Sequence, residues 1–405
     1  MVSAPLRWRW VIGTAAGLCA VYLVVRSVAD LHLAFGGGTA VDYLAIASAG
    51  RLVHAGSSCL YCTSSLAAAQ AQLLGYTPAT SATFPVAFVN PALMAWLIQP
   101  LASLPLSTGA DLFIALNTAA MALSAVILVR RVRPALGGLL ATCLVITVVF
   151  SLEAGTGILL GQSDGLMLLA ATLAIEAMDR HRPVVAGLLL APLLLKPQLI
   201  WLLPPALIAA RQWRMLGALG VDAAVVLVGS VAVAGPGHLL DALGLVTAPA
   251  YAHLDLQSNS IPALLARPIG SNAVAWATAL GLAVIAVVAM GVHRARLRAN
   301  PTVTVAVGIG LSVVLSPHLG DYSLMLLAIP VAMLAPRNAA LLLGLAAAYT
   351  LASLVNPLDN LHETTVALVL LVGVGAVFWH GLQVRPGTPL MRLSPTPMTS
   401  GVRGA

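Results

Sequence analysis

Apolar runs of roughly 17–25 residues recur from Trp10 to Gly381, with short arginine clusters between them. A helix of that length crosses about 30 Å of hydrocarbon. Only 8% of the 405 residues are charged, against about 25% in soluble globular proteins. Such a chain has too little polar surface to cover a water-soluble fold. In lipid every backbone polar group must be satisfied internally, which helices achieve within one segment. The sequence therefore predicts an all-α polytopic membrane protein.

Spans are expected at about 10–28, 109–129, 136–152, 164–178, 183–195, 198–210, 215–234, 272–292, 301–316, 321–335, 338–355 and 363–382, about 12 crossings. The first run, Val11–Val28, follows Arg7 and Arg9. No small-residue cleavage site stands out after it, so it reads as an uncleaved span. With those arginines inside, alternation places 16 of the 20 basic residues on the cytoplasmic side, in line with the positive-inside rule. Arg26, Arg51, Lys196 and Arg267 remain outside. The net charge of +7 thus follows from topology. Basic residues do not share one face with aromatics, so a nucleic-acid partner is excluded. Most acidic residues fall at or beyond the outer ends of spans, so chemistry belongs to that face. The chain reads as one membrane domain over 1–384, with residues 30–108 as a long first outer loop and 385–405 as a disordered cytoplasmic tail.

Two stretches resist assignment as plain spans. Residues 86–104 are apolar, yet a crossing there would put Arg130–Arg133 outside. The stretch also holds Asn90-Pro91, Pro100 and Pro105, and it reads as an interfacial or re-entrant helix. The runs 183–195 and 198–210 are short and read as a tight hairpin with Lys196-Pro197-Gln198 at its tip. Irregular backbone at membrane depth is tolerated only against protein or a wet cavity. Cys59 and Cys62 in the first outer loop could form a local disulfide. Cys19 and Cys143 lie in apolar runs as packing residues.

Several polar side chains are candidates for chemistry. Asp42 opens a helical stretch running to about His54, whose small and apolar residues suit a helix along the membrane surface. Asp42 could cap that helix, or serve as a general base whose pKa partial burial raises. Gln162, in Gly161-Gln162-Ser163-Asp164, could bond sugar hydroxyls or belong to a capping turn. Lys196 is the only lysine. Among leucines it must snorkel to headgroups or meet an anion such as a lipid phosphate. Arg51 and Arg267 are further outer cations that could bind phosphate. In Ser316-Pro317-His318-Leu319-Gly320-Asp321-Tyr322, His318 could donate a proton to a leaving phosphate while Asp321 orients it or caps a helix. Asp222 lies inside a span and reads as a packing contact. No metal-ligand spacing and no P-loop, HExxH, GxSxG or dinucleotide motif is found, so neither metal nor cofactor is expected.

The order of these pieces resembles glycosyltransferase family 87. The resemblance rests on Val41-Asp42-Tyr43, Ala49-Gly50-Arg51-Leu52 with Gly56, Leu60-Tyr61, and Asn90-Pro91. It continues through Gln99-Pro100-Leu101-Ala102, Leu104-Pro105, Gly161-Gln162, Ala186-Gly187, Leu195-Lys196-Pro197-Gln198 and Gln212-Trp213-Arg214. His318 with Asp321-Tyr322 closes the set. One departure is Pro91-Ala92, where members often carry two prolines. The resemblance implies the GT-C membrane architecture and an inverting transfer of a sugar such as mannose. The donor would be a polyprenyl-phosphate sugar and the acceptor a lipid or glycan outside the cytoplasm. It further implies Asp42 as catalytic base, and the chemistry of a departing phosphate places His318 at the leaving group. Tyr43, Arg51, Asn90, Gln162, Lys196, Gln198, Arg267, Asp321 and Tyr322 are expected to bind substrate. A transporter or flippase of lipid-linked glycans and a non-catalytic scaffold remain alternatives.

Overall fold

The computed structural model of the chain describes residues 6–35, 40–75, 85–238, 241, 258 and 260–333. The spans expected at 338–355 and 363–382, and the tail from 385, lie outside the described residues. Every regular element among those described is helical. The first four helices are α1 (Leu6–Ala34), α2 (Val41–His54), α3 (Thr63–Leu74) and α4 (Ala92–Ala102). Next come α5 (Leu106–Leu136), α6 (Gly138–Val149), α7 (Leu152–Leu160) and α8 (Asp164–Asp179). Then follow α9 (Pro183–Leu189), α10 (Leu203–Ala209), α11 (Trp213–Ala234), α12 (Ile261–Ala266), α13 (Asn272–Val292), α14 (Arg294–Ala299) and α15 (Pro301–Val314). Short 3-10 helices occupy Ala191–Leu195, Pro197–Leu199, Arg267–Ile269 and Asp321–Leu327.

Among the described residues, α5, α11 and α13 are both long and apolar enough to cross a bilayer, and α6 with α7 forms a run bent by 47°. Elsewhere the apolar runs are interrupted. The two spans expected at 183–210 are two seven-residue helices flanking two 3-10 turns. Pro192, Pro197, Pro204 and Pro205 explain this, since each removes an amide donor and blocks the preceding turn. The broken backbone is satisfied by its neighbour: the amide of Leu202 donates to Ser312 Oγ (2.9 Å), and Trp201 Nε1 donates to the Ser312 carbonyl (3.2 Å). The stretch expected at 321–335 likewise begins as 3-10 helix.

α4 has 11 residues, about 16 Å at 1.5 Å per residue, too short to cross. It packs against α2 instead. A Cβ on Gly50 would come within 2.8 Å of Ala102 Cβ, so glycine sets that approach. α2 has the expected bounds, but residues Tyr43–Gly50 are buried, so it belongs to a packed core and is not an open surface helix. Cys59 and Cys62 form a disulfide just before α3. Gln70 then pins the chain entering α4, with Nε2 donating to the Val86 carbonyl (2.6 Å) and Oε1 accepting from the Val86 amide (3.0 Å).

The direction of the central helices follows from two contacts. Asn117 Oδ1 accepts from the Leu166 amide (3.2 Å) at the start of α8. Fourteen residues further along α5, Arg131 pairs with Glu176 (3.5 Å) and Asp179 at the end of α8. α5 and α8 therefore run parallel for about 21 Å, and bent α6–α7 is the return path between them. This puts Arg131 and Arg180 at one end of α8 and Gln162 and Asp164 at the other.

Gly165 makes the α5–α8 approach possible: a Cβ there would overlap the Asn117 carbonyl oxygen. Small residues at such crossings let backbones pack closely in membranes. Gly165→Ala is expected to destabilise the protein by about 1–3 kcal/mol through overpacking. Gly281→Ala, with nothing within 4 Å of the added Cβ, serves as the control and should not lower stability. Melting curves of the two variants in one detergent check this pair of outcomes.

Candidate active site

Four separate parts of the chain meet at Gln162. The connection that carries it is sharply turned. Gly161 ends α7 in the left-handed region (φ 70°), and the Gln162 amide reaches back to the Gly157 carbonyl (2.9 Å). This is the helix-ending pattern that glycine favours. Gly161 is constrained a second time, because a Cβ there would lie 2.8 Å from Tyr43 Cβ on α2. The turn thus holds Gln162 against the N-terminal end of α2.

Asp42 stands in the first turn of α2, where the helix dipole favours a carboxylate. It does not cap the helix: Ala40 is the N-cap residue and no side chain caps the end. Instead Asp42 Oδ2 accepts a hydrogen bond from Gln162 Nε2. The same Nε2 donates to Tyr322 Oη (2.8 Å), and Gln162 Oε1 accepts from Lys196 Nζ (2.6 Å). An amide can be placed either way round, and the network decides which. An ammonium can only donate and an ionised carboxylate can only accept, so Oε1 must face Lys196 and Nε2 must face Asp42.

Lys196 sits at the junction of two 3-10 turns. It neither snorkels nor stands open. Its side chain is 9% exposed, and Nζ bonds Asp164 Oδ2 at 2.6 Å, Asp164 itself being fully buried. The ammonium also lies 4.7 Å from the centre of the Tyr322 ring, a cation–π distance. Asp164 accepts a second bond from Ser323 Oγ. A small cavity with room for about one water molecule is lined by Asn117, Gln162, Asp164 and Met325 among others. Asp42 itself is half-buried.

Burial raises the pKa of Asp42 above the ordinary carboxylate value. The Gln162 hydrogen bond and the Lys196 charge pull it down, and the Asp164 charge adds to the rise. A carboxylate made more basic and held by one oxygen is suited to accept a proton with the other.

Of the residues singled out from sequence, Asp42, Gln162, Lys196 and Tyr322 are brought together. His318 lies four residues before Tyr322, half-buried, its carbonyl accepting from Ser316 Oγ (2.7 Å). Asp321 opens the 3-10 helix that carries Tyr322, and Gln198 is half-buried in the turn after Lys196. Others are engaged elsewhere. Arg51 donates to the carbonyls of Ala102 (2.9 Å) and Leu104 (3.1 Å), closing the end of α4. Arg267 donates to the Ser258 carbonyl (3.1 Å). The Asn90 carbonyl accepts from Tyr61 Oη (3.0 Å). Tyr43 is buried against Phe113, ring centres 5.3 Å apart, and burial pushes its hydroxyl up to about 12. Asp164 and Ser323 were not among the expected site residues. The signal for Asp164 was present, since a lysine among leucines requires a buried counter-charge.

The model of glycosyltransferase family 87 matches residues 88–317, more than half of the chain, and the chain belongs to that family. No curated protein and no solved structure matches it. The matched interval contains Gln162, Asp164 and Lys196. Asp42 reaches the site from before it and Tyr322 from after it.

Removing one partner of a buried ion pair strands the other charge, at a cost of roughly 3–5 kcal/mol. Asp164→Ala is expected to lose about that much stability. The double variant Asp164→Leu with Lys196→Met should recover most of it, and chemical or thermal unfolding in detergent measures both.

Proposed function

We propose that this glycosyltransferase moves a sugar from a polyprenyl-phosphate donor to a lipid or glycan acceptor at the outer face of the cytoplasmic membrane. Mannose is the sugar implied by the family resemblance. The transfer is an inverting displacement. Asp42 takes the proton of the acceptor hydroxyl, and the acceptor oxygen forms its bond to the anomeric carbon. The bond from that carbon to the phosphate oxygen breaks, and the polyprenyl phosphate leaves with the electron pair. His318 stands at the leaving group as proton or hydrogen-bond donor.

One observation carries this reading. Asp42 is a half-buried carboxylate with raised pKa, and a fixed amide donor holds one of its oxygens. Gln162 keeps the carboxylate from rotating, so its other oxygen can face the acceptor. Held geometry of this kind lowers the entropy cost of bringing reactants together.

The protonation state sets the pH behaviour. The base must be ionised, so kcat/KM is expected to fall as pH drops through the raised pKa of Asp42. The acid limb should therefore lie above the ordinary carboxylate value of 3.8. Stability moves the other way. The folded pKa lies above the unfolded one, so the contribution of Asp42 to stability is fully present below the unfolded pKa and is lost as pH rises through the folded pKa. At neutral pH the ionised side chain is therefore a cost to the fold. Asp42→Asn should reduce transfer by about 10²–10⁴-fold, the usual contribution of a general base, without lowering the melting temperature. Transfer of radiolabelled sugar from polyprenyl-phosphate-mannose in membranes, with melting of the same variant, tests the assignment. Wild-type turnover in Asp42→Asn would remove Asp42 from the mechanism.

A further inference from the structure

The geometry points to Lys196 as a positioning residue that orients Gln162 onto Asp42, its charge balanced by Asp164 and not by the phosphate of the donor. The inference rests on Asp42 being the base.

An ammonium has three N–H bonds, and two from Lys196 go to buried protein acceptors while an aromatic ring lies close by. One bond goes to Asp164 Oδ2 and one to Gln162 Oε1, both at 2.6 Å. The Tyr322 ring centre lies 4.7 Å away. A phosphate oxygen binding here would have to displace a fully buried aspartate or the glutamine that holds Asp42. Asp164 is itself locked by Ser323 Oγ and by its place at the start of α8, where the helix dipole favours its charge. The ion pair is thus a fixed point. From it Lys196 selects the one amide orientation in which Gln162 offers its NH2 group to Asp42. Without the ammonium, Gln162 Oε1 loses its charged donor, and the amide is held only by its bonds to Asp42 and Tyr322.

The chain offers a direct reporter, because Lys196 is its only lysine. The purified protein is treated with acetic anhydride with and without a polyprenyl phosphate, and Lys196 acetylation is read by mass spectrometry. The expected result is slow acetylation that the lipid phosphate leaves unchanged, together with fast acetylation in Asp164→Asn. Fast acetylation of the wild type that the polyprenyl phosphate suppresses would overturn the proposal.

Kinetics give a second, separate answer. The Lys196→Met, Asp164→Leu double variant keeps the buried site neutral, and its folding is checked by gel filtration. Its kcat should fall about 100-fold, the scale of a roughly 1 Å misplacement, while donor KM stays within about twofold. A tenfold or greater rise in donor KM with kcat kept would make Lys196 a phosphate ligand, and unchanged kcat and KM would deny it any role. Absence of turnover in the wild type would count against the donor assignment only, since the acetylation result decides the role of Lys196 without it.

Discussion

A single ammonium buried beside a single carboxylate organises this end of the molecule. Lys196 and Asp164 come from different helical segments, and neither could remain charged in an apolar interior alone. Their pairing fixes the break between α9 and α10 against the start of α8. It also supplies the one strongly directional reference from which the Gln162 amide, and through it Asp42, take their orientation. Buried ion pairs often add little net stability compared with apolar packing. Here the pair is better understood through specificity: it defines which way a neutral amide points.

The surrounding architecture serves the same end. α5 and α8 run side by side in one direction, tied at one extremity by Asn117 and at the other by Arg131 with Glu176 and Asp179. That double attachment makes the start of α8 a stable platform. Proline-broken segments approach the platform and leave their irregular backbone groups to be satisfied by neighbours, as Ser312 does for Leu202. The long uninterrupted helices α11 and α13 expose much of their apolar surface, Val228 and Val292 among it.

Much of this was legible before any coordinates. The helix at 41–54 was read with its observed bounds, because Asp42 and the periodic small residues mark it. Lys196 and Gln162 stood out as polar groups that an apolar setting makes costly. What could not be read was partnership. Arg51 resembles a phosphate ligand because sequence shows a charge and not its direction; the side chain instead folds back to the carbonyls of Ala102 and Leu104 at the end of α4, where a helix leaves its last carbonyls without intrahelical partners. The role of Asp164 is not legible from sequence, because its partner lies 32 residues away along the chain. The break at Lys196-Pro197-Gln198 is legible from its prolines and short apolar runs, whereas the partners that satisfy it are not.

Gly161 carries a consequence for how the site keeps its accuracy. The residue touches Tyr43, the neighbour of Asp42, and immediately precedes Gln162. The two halves of the Asp42–Gln162 contact are therefore registered against one another at a common stop, one residue from each. Asp42 and Gln162 belong to different helical segments, and the close approach of Gly161 to Tyr43 is the local stop that sets their separation.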